Sequence, residues 1–464
     1  MTEKIVIKKL SKKGDGIGFI DNVKVEIPRA IVGDTVVAEL YRKRKGIKRG
    51  KLIEVLDPSP DRVEPKCKHA SFCGGCSLQQ MSYAAQLEYK QAFIKNIFLD
   101  YADSDSKYKD IAFLPILSMK DPWCYRNKME FTFSENRAKM RYLGLMMGKK
   151  SRFVFNLEEC FLASSWFSDT VVRVKNWWDK YPDMSAYNPF CNAGLLKNLT
   201  LRESFFTKQK MVILTILNGE LSLEEQKSFI DTVKSDDVSI YLRHVTTAKK
   251  EPTRYEDIHL FGEKNIEEVL NVNGKKIRFK IGPSSFFQPN TLGAEMVYSA
   301  ALNMPNAMQE LGILQKESAK KRYALICDLY AGAGGLGMLF SSLADKVIGI
   351  EENSQAVEDG RVNIALNGID NVTMYAGDVG KILQSMSIKP DLVILDPPRM
   401  GLNLSAIEEV KKLNAKEIIY ISCNPLTQYE NIKELKGYQL IAMQPIDQFP
   451  HTYHVENIVY LKLL

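Results

Sequence analysis

From Tyr323 onward, seven short apolar runs alternate with stretches of helical period: Ala324 to Leu329, Lys346 to Ile350, Val372 to Tyr375, Leu392 to Leu395, Ile418 to Ile421, Leu440 to Met443 and Ile458 to Leu463. Strands separated by helices pair in parallel through crossovers, which implies a mostly parallel sheet with helices on both faces. The fold class is therefore α/β. Sheets of this kind bind ligands beyond the carboxyl ends of their strands, so the residues that follow each run are candidate site residues. The run Ile418 to Ile421 leads to Ser422-Cys423 and is stopped by Asn424-Pro425. Cys423 is thus a thiol at a strand tip and a candidate nucleophile, although a lone cysteine is more often a small buried hydrophobe.

The first run ends in Asp328-Leu329-Tyr330-Ala331-Gly332-Ala333-Gly334-Gly335-Leu336-Gly337, a turn where backbone can approach a ligand closely. Glu351 stands 23 positions after Asp328, near the offset at which an acid binds ribose hydroxyls. Gly332, Gly334 and Gly337 also fit the dinucleotide fingerprint, so a nicotinamide oxidoreductase is a rival reading. Asp396-Pro397-Pro398-Arg399 at the end of the fourth run weighs against it. Methyltransferases place an acid or amide followed by prolines there, and Arg399 replaces the aromatic residue usual where an exocyclic amine is methylated.

At 464 residues the chain has room for about three domains. Residues 1 to 51 hold 14 Lys or Arg against 6 Asp or Glu, a net of +8 where the whole chain carries +7. A basic excess confined to one segment is the footprint of a polyanion-binding surface, or else a solvated charged face. Residues 4 to 56 read as five short strands with glycine turns, a small β-barrel of the OB kind, with a basic hairpin over Tyr41 to Lys51. Asp57 to Pro65 has linker composition. It is followed by Cys67, Cys73 and Cys76, spaced C-x5-C-x2-C. Eight cysteines in a chain this long do not make a disulfide scaffold, and a cluster of three asks for a fourth soft ligand. Spacing alone leaves zinc and an iron–sulfur cluster both open. From Tyr83 to residue 281 the pattern is mixed α+β: an amphipathic helix over Tyr83 to Leu99, paired strands at Met129 to Phe133 and Arg141 to Leu145, a strand at Met211 to Leu217, and helices over Val171 to Tyr181 and Leu223 to Val233. Ser318 to Arg322 reads as an exposed connector. No run approaches the 18 to 20 apolar residues of a membrane span, and no signal-peptide core follows Met1, so the expected location is the cytoplasm.

Four motifs stand in one order: Ser285-Phe286-Phe287-Gln288-Pro289-Asn290, Asp396-Pro397-Pro398-Arg399-Met400-Gly401-Leu402, Ile421-Ser422-Cys423-Asn424-Pro425, and Asp447-Gln448-Phe449-Pro450-His451-Thr452-Tyr453-His454-Val455-Glu456. Together they resemble the RNA uracil-5-methyltransferase family, over nearly the whole chain. The amino-terminal segment, through Leu10-Ser11, Gly16-Ile17-Gly18, Ile27-Pro28 and Val32-Gly33-Asp34-Thr35-Val36, resembles the RNA-binding TRAM barrel. The resemblance implies a Rossmann-like class I methyltransferase domain over 282–464, a TRAM barrel over 1–56, and a central α+β domain over 57–281 carrying a [4Fe–4S] cluster on Cys67, Cys73, Cys76 and a distant Cys160. Cys124 and Cys191 rank below Cys160 as the fourth ligand, and His69 is expected at the surface.

By the same resemblance, Cys423 adds to carbon 6 of uracil and Glu456 removes the carbon-5 proton. Gln288, Tyr330, Glu351 and Asp396 contact S-adenosylmethionine, with Asp378 and the backbone of Gly335 as lesser contacts. Tyr125-Arg126-Asn127-Lys128 also matches a family motif, giving Arg126 and Lys128 either substrate contacts or strand-end solvation. Gln448 replaces a common methionine, a change expected to alter packing and not chemistry. His451 and His454 orient the base or Glu456, or are structural. The resemblance is nearest to enzymes of 23S ribosomal RNA, acting as a monomer on single-stranded RNA or a flipped nucleotide. The rivals are a transfer-RNA uracil methyltransferase and a non-catalytic RNA-binding iron–sulfur protein.

Overall fold

A computed structural model describes residues 2–41, 46–104, 111–148, 153–246, 253–310, 312 and 322–464. Arg42 to Lys45 of the basic hairpin and Ser318 to Lys321 of the connector lie outside the described residues.

The amino-terminal sheet has six strands, in the order Thr2–Val6, Thr35–Leu40, Lys48–Asp57, Val23–Ile27, Gly16–Ile20 and Lys9–Leu10. The two-residue strand Lys9–Leu10 is one more than the sequence pattern shows, too short to leave a periodic signal. Its edges approach each other: Lys8 donates its backbone N–H to the Ile17 carbonyl at 2.9 Å. That closeness requires Gly18, where a Cβ would stand 2.2 Å from Ile5. Ile5, Ile7, Val25, Ile27, Val36 and Ala38 fill the interior. Asp34, fully buried, pins the sheet to the following linker through Arg62 Nη2 at 2.6 Å and the Ser59 amide at 3.0 Å.

The central sheet has seven strands, in the order Val154–Asn156, Arg141–Met146, Lys128–Glu135, Leu196–Glu203, Lys210–Ile216, Val238–Thr246 and Arg254–Phe261. Residues of alternate parity face opposite ways. Phe131, Leu199, Leu201, Val212 and Leu214 meet the helices Ser165–Asp179 and Leu223–Val233 on one face. The first of these helices starts and stops earlier than its periodicity suggests. Arg141 reaches over from its strand and donates to the Trp178, Tyr181 and Met184 carbonyls, closing the helix before Tyr181.

All seven carboxyl-terminal runs form strands of one sheet, in the order Val372–Ala376, Ala344–Glu351, Tyr323–Leu329, Leu392–Leu395, Glu417–Ser422, Glu456–Leu463, Tyr438–Ile446 and, at the edge, Ala112–Phe113. The first five are mutually parallel, and Glu456–Leu463 is antiparallel to both its neighbours. Helices cover both faces, as a doubly wound sheet requires. Two segments from earlier in the chain contribute. Ile94 and Phe98 of the helix Tyr83–Ser104 pack with Tyr420 and Met443 on one face. The hairpin Ile266–Val272 and Lys275–Ile281 packs with the helix Thr291–Glu310 on the other. Strand order reverses between Tyr323–Leu329 and Leu392–Leu395, and a crevice at that point is where such sheets bind ligands.

Candidate active site

The crevice is built from the turn after Tyr323–Leu329. Buried Asp328 accepts the Gly337 amide at 2.8 Å, which ties the start of the helix Gly335–Phe340 to the strand beneath it. Burial pushes the Asp328 carboxyl up to about 7, against that hydrogen bond, with Asp396 adding to the rise. Gly332 and Gly334 take φ of 53° and 77°, and a Cβ on Gly332 would stand in open space. Tyr330 also has positive φ, 64°. For an aromatic residue this is a strained conformation of the kind retained at functional sites. Glu351 accepts the Gly332 amide at 3.0 Å and the Asn353 amide at 2.8 Å, so it shapes the turn from the neighbouring strand end. Asp378 caps the helix Val379–Ser385 through the Lys381 amide. At Gly335 an added Cβ would come within 3.1 Å of the Tyr298 hydroxyl, so this tyrosine takes the room a larger residue would need.

Gln288 arrives from the opposite wall. Asn127 donates to its carbonyl at 2.8 Å, and Gln448 Nε2 donates to its side-chain oxygen at 3.3 Å. Methionine at position 448 could not make this hydrogen bond, so the replacement adds a polar contact with Gln288.

Cys423 directly follows the strand Glu417–Ser422, whose ladder ends by pairing Ser422 with Asn457. The next residues along the two strands are Cys423 and Glu456, so thiol and carboxylate stand side by side. Burial, then the charge of Asp396, pushes Glu456 up to about 8, while Arg399 works the other way. Burial and Glu456 push the Cys423 thiol up to about 11, again opposed by Arg399, which lies within hydrogen-bonding reach of the sulfur. Burial pushes Asp396, which is partly exposed, up to about 7. Arg399 is the group whose role the sequence does not reveal. At its motif position it stands out only as the absence of an aromatic residue, and its approach to the thiol depends on how two strand ends converge. Asn424 Nδ2 and Thr427 Oγ1 donate to the Arg399 carbonyl and hold its backbone.

The two histidines separate. His454 Nδ1 lies 3.3 Å from Arg399 Nη2 at the mouth of the site. His451 is buried and stacked on Trp123 at 3.9 Å, and burial, then Lys90, pushes it down to about 4. Its backbone has φ of 64° and its carbonyl accepts the Ser77 and Leu78 amides. Burial thus favours its neutral form, and its left-handed backbone bends the chain ahead of Glu456.

Cys67, Cys73, Cys76 and Cys160 line one cavity of about 180 Å³, together with Gln79, Arg126 and Glu159. Gln79 Nε2 donates to Cys76 Sγ at 3.1 Å and the Gly75 amide to Cys73 Sγ at 3.3 Å. Cys124 and Cys191 are exposed and stand apart from this cavity. Among the described residues no three His, Cys, Asp or Glu side chains converge closely enough to hold a single metal ion. The expected surface position of His69 is corrected: it is buried, with its ring between Phe72 and Phe155, because its Nδ1 finds the Glu159 carbonyl at 3.2 Å. Among the described residues no helix is long and apolar enough to cross a membrane.

A family profile described as tRNA (uracil-5-)-methyltransferase matches residues 82–463. An uncharacterized RNA methyltransferase of Protochlamydia amoebophila is 40% identical over 461 residues, covering 95% of this chain and 100% of its own length. Another, from Clostridium tetani, is 30% identical and covers 99% of this chain and 96% of its own. Among solved structures, the Pyrococcus abyssi tRNA (uracil-54, C5)-methyltransferase in complex with S-adenosyl-L-homocysteine matches with a TM-score of 0.72 and 25% identity, over 99% of this chain and 100% of that one.

Proposed function

The chain belongs to the tRNA (uracil-5-)-methyltransferase family, and from that premise we propose that it methylates carbon 5 of a uridine in 23S ribosomal RNA through a covalent adduct on Cys423. It is an S-adenosylmethionine-dependent RNA methyltransferase. The observation that carries the mechanistic reading is the juxtaposition of Cys423 and Glu456 at one ladder end, with Arg399 bearing on both.

Gln288, Tyr330, Glu351, Asp378, Asp396 and the backbone of Gly335 would hold S-adenosylmethionine, which supplies an electrophilic methyl group on a sulfonium. The open space beside Gly332 fits such a ligand. Carbon 5 of uracil is a poor nucleophile. Cys423, as thiolate stabilised by Arg399, adds to carbon 6, and the electron pair of the 5,6 double bond moves out to form an enolate. Carbon 5 then takes the methyl group. Glu456 as carboxylate removes the carbon-5 proton, and the electron pair restores the double bond as the thiolate leaves. In the resting site, burial holds both Cys423 and Glu456 toward their protonated forms, so Arg399 is the group that makes the thiolate attainable.

Cys67, Cys73, Cys76 and Cys160 would hold a [4Fe–4S] cluster. What supports this reading is that the four thiols line one cavity and two of them receive N–H donors. The reaction needs no electron from it. Residues 1–56 serve as the TRAM barrel that binds RNA, 57–281 as the central domain and 282–464 as the catalytic domain.

A transfer-RNA substrate is the second reading. The Pyrococcus tRNA enzyme aligns over its full length, so possession of an amino-terminal barrel does not separate the two substrates. The deciding experiment incubates the protein with methyl-labelled S-adenosylmethionine and unmodified ribosomal or transfer RNA, alongside 5-fluorouridine RNA. Label in 5-methyluridine of 23S RNA, and a fluorinated adduct lost in Cys423→Ala, are expected. Label confined to transfer RNA would replace the substrate, and transfer that survives Cys423→Ala would overturn the nucleophile.

A further inference from the structure

The face of the central sheet turned toward the catalytic unit carries three cations that the reaction above does not use. The ladder sets Lys128 directly opposite Arg202, a like-charge pairing that costs stability in a sheet. Arg243, from the strand Val238–Thr246, bears on both. Arg243 is answered by Asp257, at 2.6 and 2.8 Å, and donates to Ser284 Oγ at 2.8 Å. The other two have no ion pair in contact among the described residues. Arg202 is 3% exposed and donates from Nη2 to the Ser285 carbonyl, while its buried Nε has no partner among the described residues. The Lys128 ammonium has no hydrogen bond or ion pair among the described residues. Two acids offset part of this charge from a distance: Glu130, which accepts from Asn198 and Thr200, acts on Lys128, and Asp359, which accepts from Gln355 on one oxygen only, acts on Arg202. A buried guanidinium N–H without an acceptor, beside an unpaired ammonium, is an anion seat in want of its anion.

We propose that Lys128, Arg202 and Arg243 seat one phosphodiester of the RNA substrate, beside the Ser284-Ser285 segment that leads into Gln288. Arg202 offers its unpartnered Nε–H and Lys128 supplies a point charge. Burial and the two arginines push Lys128 down to about 8, and an anion between them reverses that repulsion. Asn127, the neighbour of Lys128, holds the Gln288 carbonyl, so a phosphate fixed here would set the strand relative to the cofactor wall. The proposal rests on the reading that this enzyme acts on RNA.

The test is the salt dependence of RNA binding by the full chain, with Lys128→Gln, Arg202→Gln and Arg243→Gln variants, and S-adenosylmethionine affinity measured in parallel. The seat requires RNA affinity to fall about tenfold in each, as for removal of a charge-assisted hydrogen bond. It also requires the log–log salt slope to shrink in each, by no more than roughly the 0.7 to 0.9 that one phosphate contributes, with cofactor affinity unchanged. Lys128→Arg should keep the slope. An unchanged slope in Lys128→Gln overturns the seat even if Arg202→Gln fails to fold, and so does a loss of cofactor affinity with RNA binding intact. If the wild type methylates no RNA yet the slopes shrink as required, the seat stands and the catalytic reading falls.

Discussion

Arg399 stands between two groups that burial would otherwise keep protonated, and the balance among them sets the pH behaviour of the site. Methyl transfer should rise with pH toward about 8 as Glu456 ionises. Stability should move the other way. The folded state holds a proton on Glu456 up to about 8, whereas the unfolded chain releases it near 4.5. Over that window the native state binds more protons, and unfolding free energy falls as pH rises. Glu456→Gln keeps the neutral shape, so it should lose this part of the pH dependence when denaturation midpoints are compared at pH 6 and 8.5. The same variant should accumulate the Cys423–RNA adduct, visible as a protein band shifted by RNA in denaturing gels. Gln448→Met should raise KM for S-adenosylmethionine about two- to tenfold with little change in kcat, the worth of one hydrogen bond to Gln288. The placement of Cys423 and Glu456 at strand ends was legible because each sits in a motif next to an apolar run. The Gln448–Gln288 contact was not, since 160 positions separate them and no local pattern encodes the meeting.

The segment Tyr83 to Leu99 reads from its sequence as an amphipathic helix, which the structure extends to Ser104. In the fold Gln86, Lys90, Ile94 and Phe98, four positions apart, form one buried stripe toward the sheet, while Glu88, Lys95 and Asn96 stay exposed. Lys90, fully buried, donates to Asp447 at 2.5 Å and to the Phe449 carbonyl at 3.1 Å. Gln86 accepts the His451 amide at 2.8 Å. One helix thus fixes the segment that leads to Glu456. Periodicity finds the helix but cannot say that its polar residues are spoken for by a loop more than 350 positions away. Lys90→Met strands the Asp447 carboxylate in the interior and should cost about 3–5 kcal/mol by chemical denaturation. The double variant Lys90→Met/Asp447→Leu should recover much of that loss, because no buried charge remains unpaired.

At the scale of the whole molecule, the loop from Cys67 to Cys76 is where three parts of the chain meet. Arg29 of the amino-terminal sheet donates to the Cys73 carbonyl at 3.0 Å, the Gly74 amide to Met146 of the central sheet at 2.9 Å, and the adjoining Ser77 and Leu78 amides to His451 at 2.9 and 3.0 Å. Disrupting the thiol cavity with Cys76→Ala should therefore raise hydrogen exchange over 447–456, far from the substituted residue in sequence, as well as around Cys73. The seven-strand alternation made the catalytic sheet legible, because burial on both faces writes continuous apolar runs. The edge strand Ala112–Phe113 and the docking of Ile266–Ile281 were not, for a two-residue strand has no period and a hairpin does not announce which face it will cover. That edge strand has a consequence during synthesis. The helix Tyr83–Ser104 and Ala112–Phe113 leave the ribosome early, but their partner strand Tyr438–Ile446 begins 334 residues after Ser104. At about 5–20 residues per second the wait is on the order of tens of seconds. Throughout it, Ile94 and Phe98 have no sheet to cover them, and a nascent chain arrested anywhere before Tyr438 is a natural client for a chaperone.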